Sequence, residues 1–220
     1  MTLSLIDVDI RLAGAPPLFP PLSLEVEPGR VATVMGPSGV GKSTLLDALG
    51  GHLAPGFSMA GRIMLNGADV SSLPPEARRI GLVFQDAVLF PHLSVADNLA
   101  FGLSRSVRGR AARRAAVDEA LALAGLSGLG RRDPETLSGG QRARAALMRT
   151  LLAEPRALLL DEPFSRLDAE LKAEIRAFTF EHIRQRDIPA LMVTHDPADA
   201  EAAGGTVITL GETRHGARGS

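Results

Sequence analysis

Cysteine is absent from this 220-residue chain, which excludes disulfides, thiolate zinc sites and thiol nucleophiles. Long apolar runs are missing too. No stretch approaches the ~20 residues that a bilayer-spanning helix needs, and the N-terminus carries no signal-peptide pattern. Neither sign of charge is in excess. With 24 basic and 25 acidic side chains the formal net charge is −1, which argues against a protein built for non-specific nucleic-acid binding. These absences make the cytoplasm the simplest compartment. Lysine is scarce: Lys42 and Lys172 are the only two, so almost every positive side chain is arginine. The remaining profile, 45% hydrophobic and 22% charged, is that of one globular domain with room for an inserted subdomain.

Strand and helix signals alternate along the chain. Residues 22–27 alternate apolar and polar side chains and stop at Pro28-Gly29, the pattern of a half-exposed strand and a turn. Residues 31–35 read as a short buried strand, followed by a glycine-rich loop and a helix with Leu45, Leu46 and Leu49 at apolar positions. Ile63-Met64-Leu65 ends in Asn66-Gly67 as a strand and tight turn, and residues 80–84 form a further apolar run. From Ser94, where Ser94-x-x-Asp97 is a capping pattern, strand signals vanish until Leu158. Residues 111–124 are alanine-rich, with Val117, Leu121 and Ala124 on one face and Arg114 and Asp118 spaced for a pair on another. Leu158-Leu159-Leu160, residues 190–194 and residues 206–210 supply three more strands. Asp168 caps a helix carrying Leu171, Ile175 and Phe178. The alternation predicts an α/β core with a largely parallel sheet and an inserted helical subdomain, ending in a frayed polar tail over residues 211–220.

Gly36-Pro37-Ser38-Gly39-Val40-Gly41-Lys42-Ser43 fits G-x-x-x-x-G-K-[ST] between a predicted strand and a predicted helix. Glycines let backbone N–H groups curl around phosphate oxygens, and the helix aims its positive end at them. Lys42 would reach the β- and γ-phosphates, Ser43 would offer its hydroxyl to Mg²⁺, and Thr44 completes the nucleotide-binding run. A chain that writes arginine almost everywhere has lysine here, where a planar guanidinium is no substitute.

Asp161-Glu162 follows the buried run Leu158-Leu159-Leu160 directly, and ligands of open α/β sheets sit at the carboxyl ends of strands. Asp161 is expected to hold the Mg²⁺ shell and Glu162 to orient and polarise the attacking water. Pro163 ends the segment.

Leu137-Ser138-Gly139-Gly140-Gln141 is similar to the signature of ABC (ATP-binding cassette) ATPases, and the resemblance covers nearly the whole chain. It runs through the phosphate loop, Gln85 after a strand, the signature, Asp161-Glu162, Ser165-Arg166-Leu167-Asp168 and His195. The resemblance implies a P-loop NTPase (RecA-like) α/β core with an N-terminal antiparallel β portion, formed by residues 1–88 and 155–220. An all-helical subdomain over residues 89–154 bears the signature. It also implies ATP hydrolysis with Mg²⁺ in a dimer, homodimeric in the simplest case. Ser138, Gly139, Gly140 and Gln141 would meet the γ-phosphate of ATP held by the other copy. Gln85 resembles the glutamine that contacts Mg²⁺ and the reactive water, His195 the histidine that contacts the γ-phosphate, and Asp168 the aspartate along the dimer interface. As a helix cap, Asp168 also has a complete structural explanation. The other histidines, His52, His92, His182 and His215, read as structural and show no metal-ligand spacing.

Two features depart from the family pattern. The family usually stacks adenine on an aromatic side chain, yet this chain has no tyrosine or tryptophan, and Leu12 stands near the expected place. Phe19, or an aliphatic surface, would take over, with weaker base selectivity as the expectation. Arg166 stands where a small residue is common.

The stretch from Phe84-Gln85-Asp86 through Leu89-Phe90-Pro91-His92-Leu93-Ser94-Val95 to Asn98 resembles ATPase subunits of bacterial importers for thiamine, iron, polyamines and molybdate. There it forms a groove for a helix of the permease. The resemblance therefore implies integral-membrane permease subunits as partners, a solute-binding protein as an indirect one, no nucleic acid, and attachment to the inner face of the cell membrane. The arginines at 105, 108, 110, 113 and 114 read as a charged helix face. A soluble ABC ATPase acting on DNA or ribosomes is the alternative, although no long coiled coil separates phosphate loop from signature and no second cassette follows. A P-loop kinase or GTPase ranks below both, because the guanine-reading Asn-Lys-x-Asp is absent.

Overall fold

The computed structural model describes residues 1–211; His215 and most of the expected frayed tail lie outside the described residues. In chain order the first elements are β1 (Leu3–Leu12), β2 (Leu22–Val26), β3 (Val31–Met35), α1 (Lys42–Gly50), β4 (Phe57–Leu65), β5 (Ala68–Asp69), α2 (Pro75–Arg78) and β6 (Ile80–Val83). Three helices follow, α3 (Val95–Gly102), α4 (Arg110–Leu123) and α5 (Gly139–Leu151). The chain continues with β7 (Ala157–Asp161), α6 (Ala169–Gln185), β8 (Ala190–Val193), α7 (Pro197–Ala203) and β9 (Val207–Thr209). Four strands form an antiparallel sheet in the order β2-β1-β4-β5, and five form a parallel sheet in the order β6-β7-β8-β3-β9.

The central parallel strands β3, β7 and β8 are mostly apolar because both of their faces are covered. Side chains alternate across the sheet, and they divide accordingly between two clusters. Ala32, Val34, Leu159, Leu191 and Val193 join the core shared with α1 and the antiparallel sheet. Val31, Leu158, Leu160, Ala190 and Met192 join the core shared with α6 and the helices between β6 and β7. That helical stretch thus has no separate core: Leu99, Leu121 and Met148 belong to the same cluster as Leu158 and Phe164.

Several local devices shape the helices. Ser94 caps α3, its Oγ accepting from Asp97 N at 3.1 Å. Arg114 lies 3.8 Å from Asp118 on the exposed face of α4, whereas Arg113 turns inward and donates to Ala100 O at 2.9 Å. Among the described residues no helix is long and apolar enough to cross a membrane.

Besides the short α2 and β5, two longer elements are not expected from the sequence. One is α7. The other is β1, and a bulge is the reason. Leu3 and Leu5 face the core, the register slips between Ile6 and Asp9, Asp7 takes a left-handed φ of 49°, and Val8 and Ile10 resume the core face. The inward set changes phase across the bulge, so the period of two is broken.

The last carbonyls of helix α1 lack helical partners, and besides a bond from Gly51 N to Ala48 O at 3.3 Å a buried arginine satisfies them. Arg78 Nη1 donates to Ala48 O and Leu49 O at 2.7 and 2.8 Å, Nε to Leu73 O at 2.8 Å, and Nη2 to Ser71 O at 2.7 Å. Burial holds its pKa below the ordinary arginine value. An ammonium cannot span this set. Arg78→Lys is therefore expected to lower the unfolding free energy by about 2–4 kcal/mol, measured by urea unfolding with an unchanged slope. A loss below about 0.5 kcal/mol would mean that the carbonyls find other partners.

Candidate active site

Strand order gathers the chemistry. β6, β7, β8 and β3 are neighbours, and their pairing is nearly flush: Val83 lies opposite Leu160, Asp161 opposite Val193, and Val34 opposite Val193. Gln85, the Asp161-Glu162 pair, His195 and the phosphate loop all leave this sheet at its carboxyl edge, the ligand-binding edge of open α/β folds.

The loop from Gly36 to Gly41 needs glycine. Gly36, Gly39 and Gly41 have φ of 151°, 84° and 102°, and a Cβ on Gly41 would press on Leu18 at 3.0 Å. The side chain of Lys42 is buried and donates from Nζ to Gly36 O and Pro37 O at 2.8 and 3.1 Å. Pro37 and Ser38 are exposed along the loop, while Val40 leans toward Gly36, 3.1 Å from where a Cβ would stand. Thr44, half-buried, lies in the first turn of α1. The glycine loop leads directly into the N-terminus of α1, an arrangement of backbone suited to an anion.

Ser43 Oγ and Asp161 Oδ1 are 3.3 Å apart. Burial is the main cause that raises the Asp161 pKa, with Glu162 and Asp47 adding to it and Ser43 and Lys42 opposing it. No group of three or more His, Asp or Glu side chains suited to a metal occurs among the described residues. A hydroxyl and one carboxylate fit Mg²⁺, which takes few protein ligands and fills its octahedron with water and phosphate oxygens. A dication there would also offset the cost of burying Asp161.

Glu162 has a left-handed φ of 43°, unusual for a residue with a side chain. Its backbone is pinned on both sides: Glu162 N donates to Val193 O at 3.0 Å, and Ser165 donates to Glu162 O from N at 3.2 Å and Oγ at 2.9 Å. The turn directs the carboxylate to His195, whose Nδ1 lies 3.1 Å from Glu162 Oε2. Residues that the sequence reading passed over hold the histidine segment from behind. Lys172 Nζ donates to Asp196 Oδ2 at 2.5 Å and holds that carboxyl below the usual carboxylate range. Thr194 Oγ1 donates to Asp199 Oδ2 at 2.8 Å, and Arg176 lies 2.9 Å from Asp199 Oδ1.

The signature residues stand at the N-terminal end of α5. Ser138 and Gln141 close a capping box, with Gln141 N donating to Ser138 Oγ at 3.2 Å and Ser138 N to Gln141 Oε1 at 3.0 Å. Gly139 N and Gly140 N, in the first turn, have no acceptor among the described residues. Gly140 also permits a close approach, since a Cβ there would lie 2.4 Å from Leu171 Cδ1 of α6. Asp168 caps α6, accepting from Leu171 N at 3.0 Å. Gln85 is exposed and shares a cavity of about 320 Å³ with Gly139 and Arg166.

Phe19 does not provide a stacking face. It is only 3% exposed, locked in the core beside Gly41. Leu12 is 43% exposed, and its cross-strand partner is Phe57, a half-buried ring that the sequence does not connect with it.

The raised pKa of Asp161 fixes a sign. The folded chain binds this proton more readily than the unfolded chain, so the neutral carboxyl contributes stability at low pH that is lost as pH rises through the folded pKa. In protein free of phosphate ligands, Asp161→Asn is expected to melt at or above the parent temperature at neutral pH. The difference closes on acidification. Thermal melts across the acid-to-neutral range measure it, and a variant that melts lower at neutral pH contradicts the assignment.

Known proteins resemble this chain in sequence and in fold. A family model described as ABC transporter matches residues 19–165. An uncharacterized ABC transporter ATP-binding protein, YnjD of Escherichia coli, is 48% identical over 196 residues, covering 89% of each chain. The thiamine import ATP-binding protein ThiQ of Cereibacter sphaeroides is 47% identical over 186 residues, 84% of this chain and 79% of that one. The Fe(3+) ions import ATP-binding protein FbpC of Rhizobium etli is 44% identical over 197 residues. That match covers 90% of this chain, which spans 55% of that relative. Among solved structures, cbiO1 from Clostridium perfringens, part of the ABC transporter complex cbiONQ, superposes with a TM-score of 0.82 at 29% identity, covering 94% of this chain and 84% of that one. The ATP-binding cassette MJ0796, solved as a dimer in a post-hydrolysis state bound to ADP and Pi, gives 0.76 at 28% identity over 94% of both chains.

Proposed function

The chain belongs to the ABC transporter family, and from that premise we propose that it is the ATP-hydrolysing subunit of a transporter, powering import through a membrane permease. The observation that carries this reading is the convergence of Lys42, Ser43, Asp161, Glu162 and His195 at one edge of the parallel sheet. The import relatives for iron and thiamine support the direction of transport.

In the proposed mechanism the loop amides and Lys42 bind the phosphates of ATP. Glu162, whose backbone is held by Val193 and Ser165, accepts a proton from the attacking water. His195, beside Glu162, fixes that carboxylate and contacts the γ-phosphate. Ser43 and Asp161 would hold Mg²⁺, assisted by Gln85, and the metal would supply charge neutralisation on the phosphates. Adenine would rest against Leu12 and Phe57. Ser138, Gly139 and Gly140, with two amides at a helix N-terminus that have no acceptor among the described residues, would complete the site of a second copy, and Asp168 would lie along that interface.

A permease surface is supported by exposed apolar side chains around α3. Leu89 is buried and Leu93 half-buried, but Phe84, Val88 and Phe101 are exposed, the last by 68%. Phe101 stacks edge-on against Phe90 with ring centres 4.7 Å apart and lines an open cleft of about 880 Å³. Apolar exposure concentrated in this way marks a partner site. The permease would carry the protein to the membrane.

Glu162→Gln is expected to bind ATP as tightly as the parent, to lose at least about 100-fold in turnover, and to accumulate as an ATP-bound dimer. Steady-state ATPase assays, nucleotide titration and gel filtration with ATP read the three effects. A variant with full turnover would refute the role given to Glu162.

A further inference from the structure

Two arginines hold the segment that leaves β6, one from each side. On the helical side, Arg149 of α5 donates from Nη2 to Val88 O at 2.7 Å and reaches Asn98 Oδ1 from Nη1 at 3.4 Å. Its guanidinium also sits 4.9 Å from the ring centre of Phe90. Burial keeps this guanidinium's pKa below the ordinary arginine value. On the side of the parallel sheet, Arg166 Nη1 lies 2.5 Å from Asp86 Oδ1, with the two side chains 63% and 52% exposed. Gln85 immediately precedes Asp86, between the end of β6 and both attachments, and its side chain makes no hydrogen bond among the described residues. Arg166 follows Ser165, whose two bonds to Glu162 O tie the whole turn to the acidic pair.

We propose that Arg166 is a positioning residue: by pairing with Asp86 it fixes the Gln85 segment relative to Glu162. The two tethers are unequal. Arg149 is half-buried and makes several contacts, so the segment is bound more firmly to the helices. Arg166 makes one exposed ion pair, of a kind that changes an equilibrium by no more than about fivefold and weakens with salt. The arginine that departs from the family pattern is thereby the adjustable attachment of Gln85 to the catalytic turn. This inference rests on the reading of Gln85 as a contact of the reacting phosphate site.

Steady-state ATPase activity of the full chain tests it. Arg166→Ala and Asp86→Ala are each expected to lower kcat about two- to fivefold, with KM for ATP and the melting temperature unchanged. Reversing the pair, with Arg166→Asp and Asp86→Arg together, restores most of the loss. Added salt lowers the kcat of the parent toward that of Arg166→Ala and affects the variant less. In a Gln85→Ala background, Arg166→Ala has no further effect. An impaired Gln85→Ala protein beside an unimpaired Arg166→Ala protein overturns the inference and leaves the reading of Gln85 standing. Full turnover in Gln85→Ala overturns that reading, and the inference with it. Equal losses from Arg166→Ala with and without Gln85 show that Arg166 acts elsewhere, and failure of the reversed pair to recover does the same.

Discussion

Strand β7 is buried on both faces, and the rest of the protein is arranged around that constraint. Leu159 faces the core under α1, while Leu158 and Leu160 face the core under α6 and the inserted helices. Burying each such side chain contributes about 1.5–3 kcal/mol, so the strand cannot slip without exposing one set or the other. Its last residue is Asp161, and the next is Glu162. The apolar run therefore fixes the height at which the two carboxylates emerge, and its neighbours fix what they meet. Ser43 reaches Asp161 from the loop after β3, and His195 reaches Glu162 from the end of β8.

The division between arginine and lysine follows the same economy of geometry. Arg78, Arg113 and Arg149 all turn their forks onto backbone carbonyls, tying loops to helix ends. A planar guanidinium bonds several acceptors at once, whereas an ammonium is a compact charge at the end of a flexible stem. The two lysines stand where a single point of positive charge serves. Lys42 lies in the phosphate loop, and Lys172 holds Asp196 beside His195. Their rarity in the sequence pointed to Lys42, but nothing in the sequence joined Lys172 to a residue 24 positions away.

Helix α6 links features that are far apart in the chain. It begins at the Asp168 cap, packs Leu171 on Gly140 of the signature helix, and carries Lys172 and Arg176 to the segment around His195. Arg144 of α5 adds a pair to Glu174 at 3.2 Å. The signature residues, Asp168 and the histidine segment thus share one supporting helix.

The sequence by itself determined the local chemistry. Phosphate loop, capping boxes and buried runs are written in contiguous residues, because backbone conformation, helix capping and two-sided burial depend on near neighbours. It misled where a neighbour across the sheet decides the outcome. The bulge at Asp7 hid β1, Phe19 proved to be core, and Phe57 came to lie beside Leu12 only through the pairing of β1 with β4. Tertiary structure alone decided that β6, β7, β8 and β3 stand side by side, that Arg166 meets Asp86, and that Glu162 turns through a left-handed φ toward His195. The physical reason is that strand order is set by how apolar faces are shared between the two cores. That sharing sums over many residues and leaves no signature at any one of them.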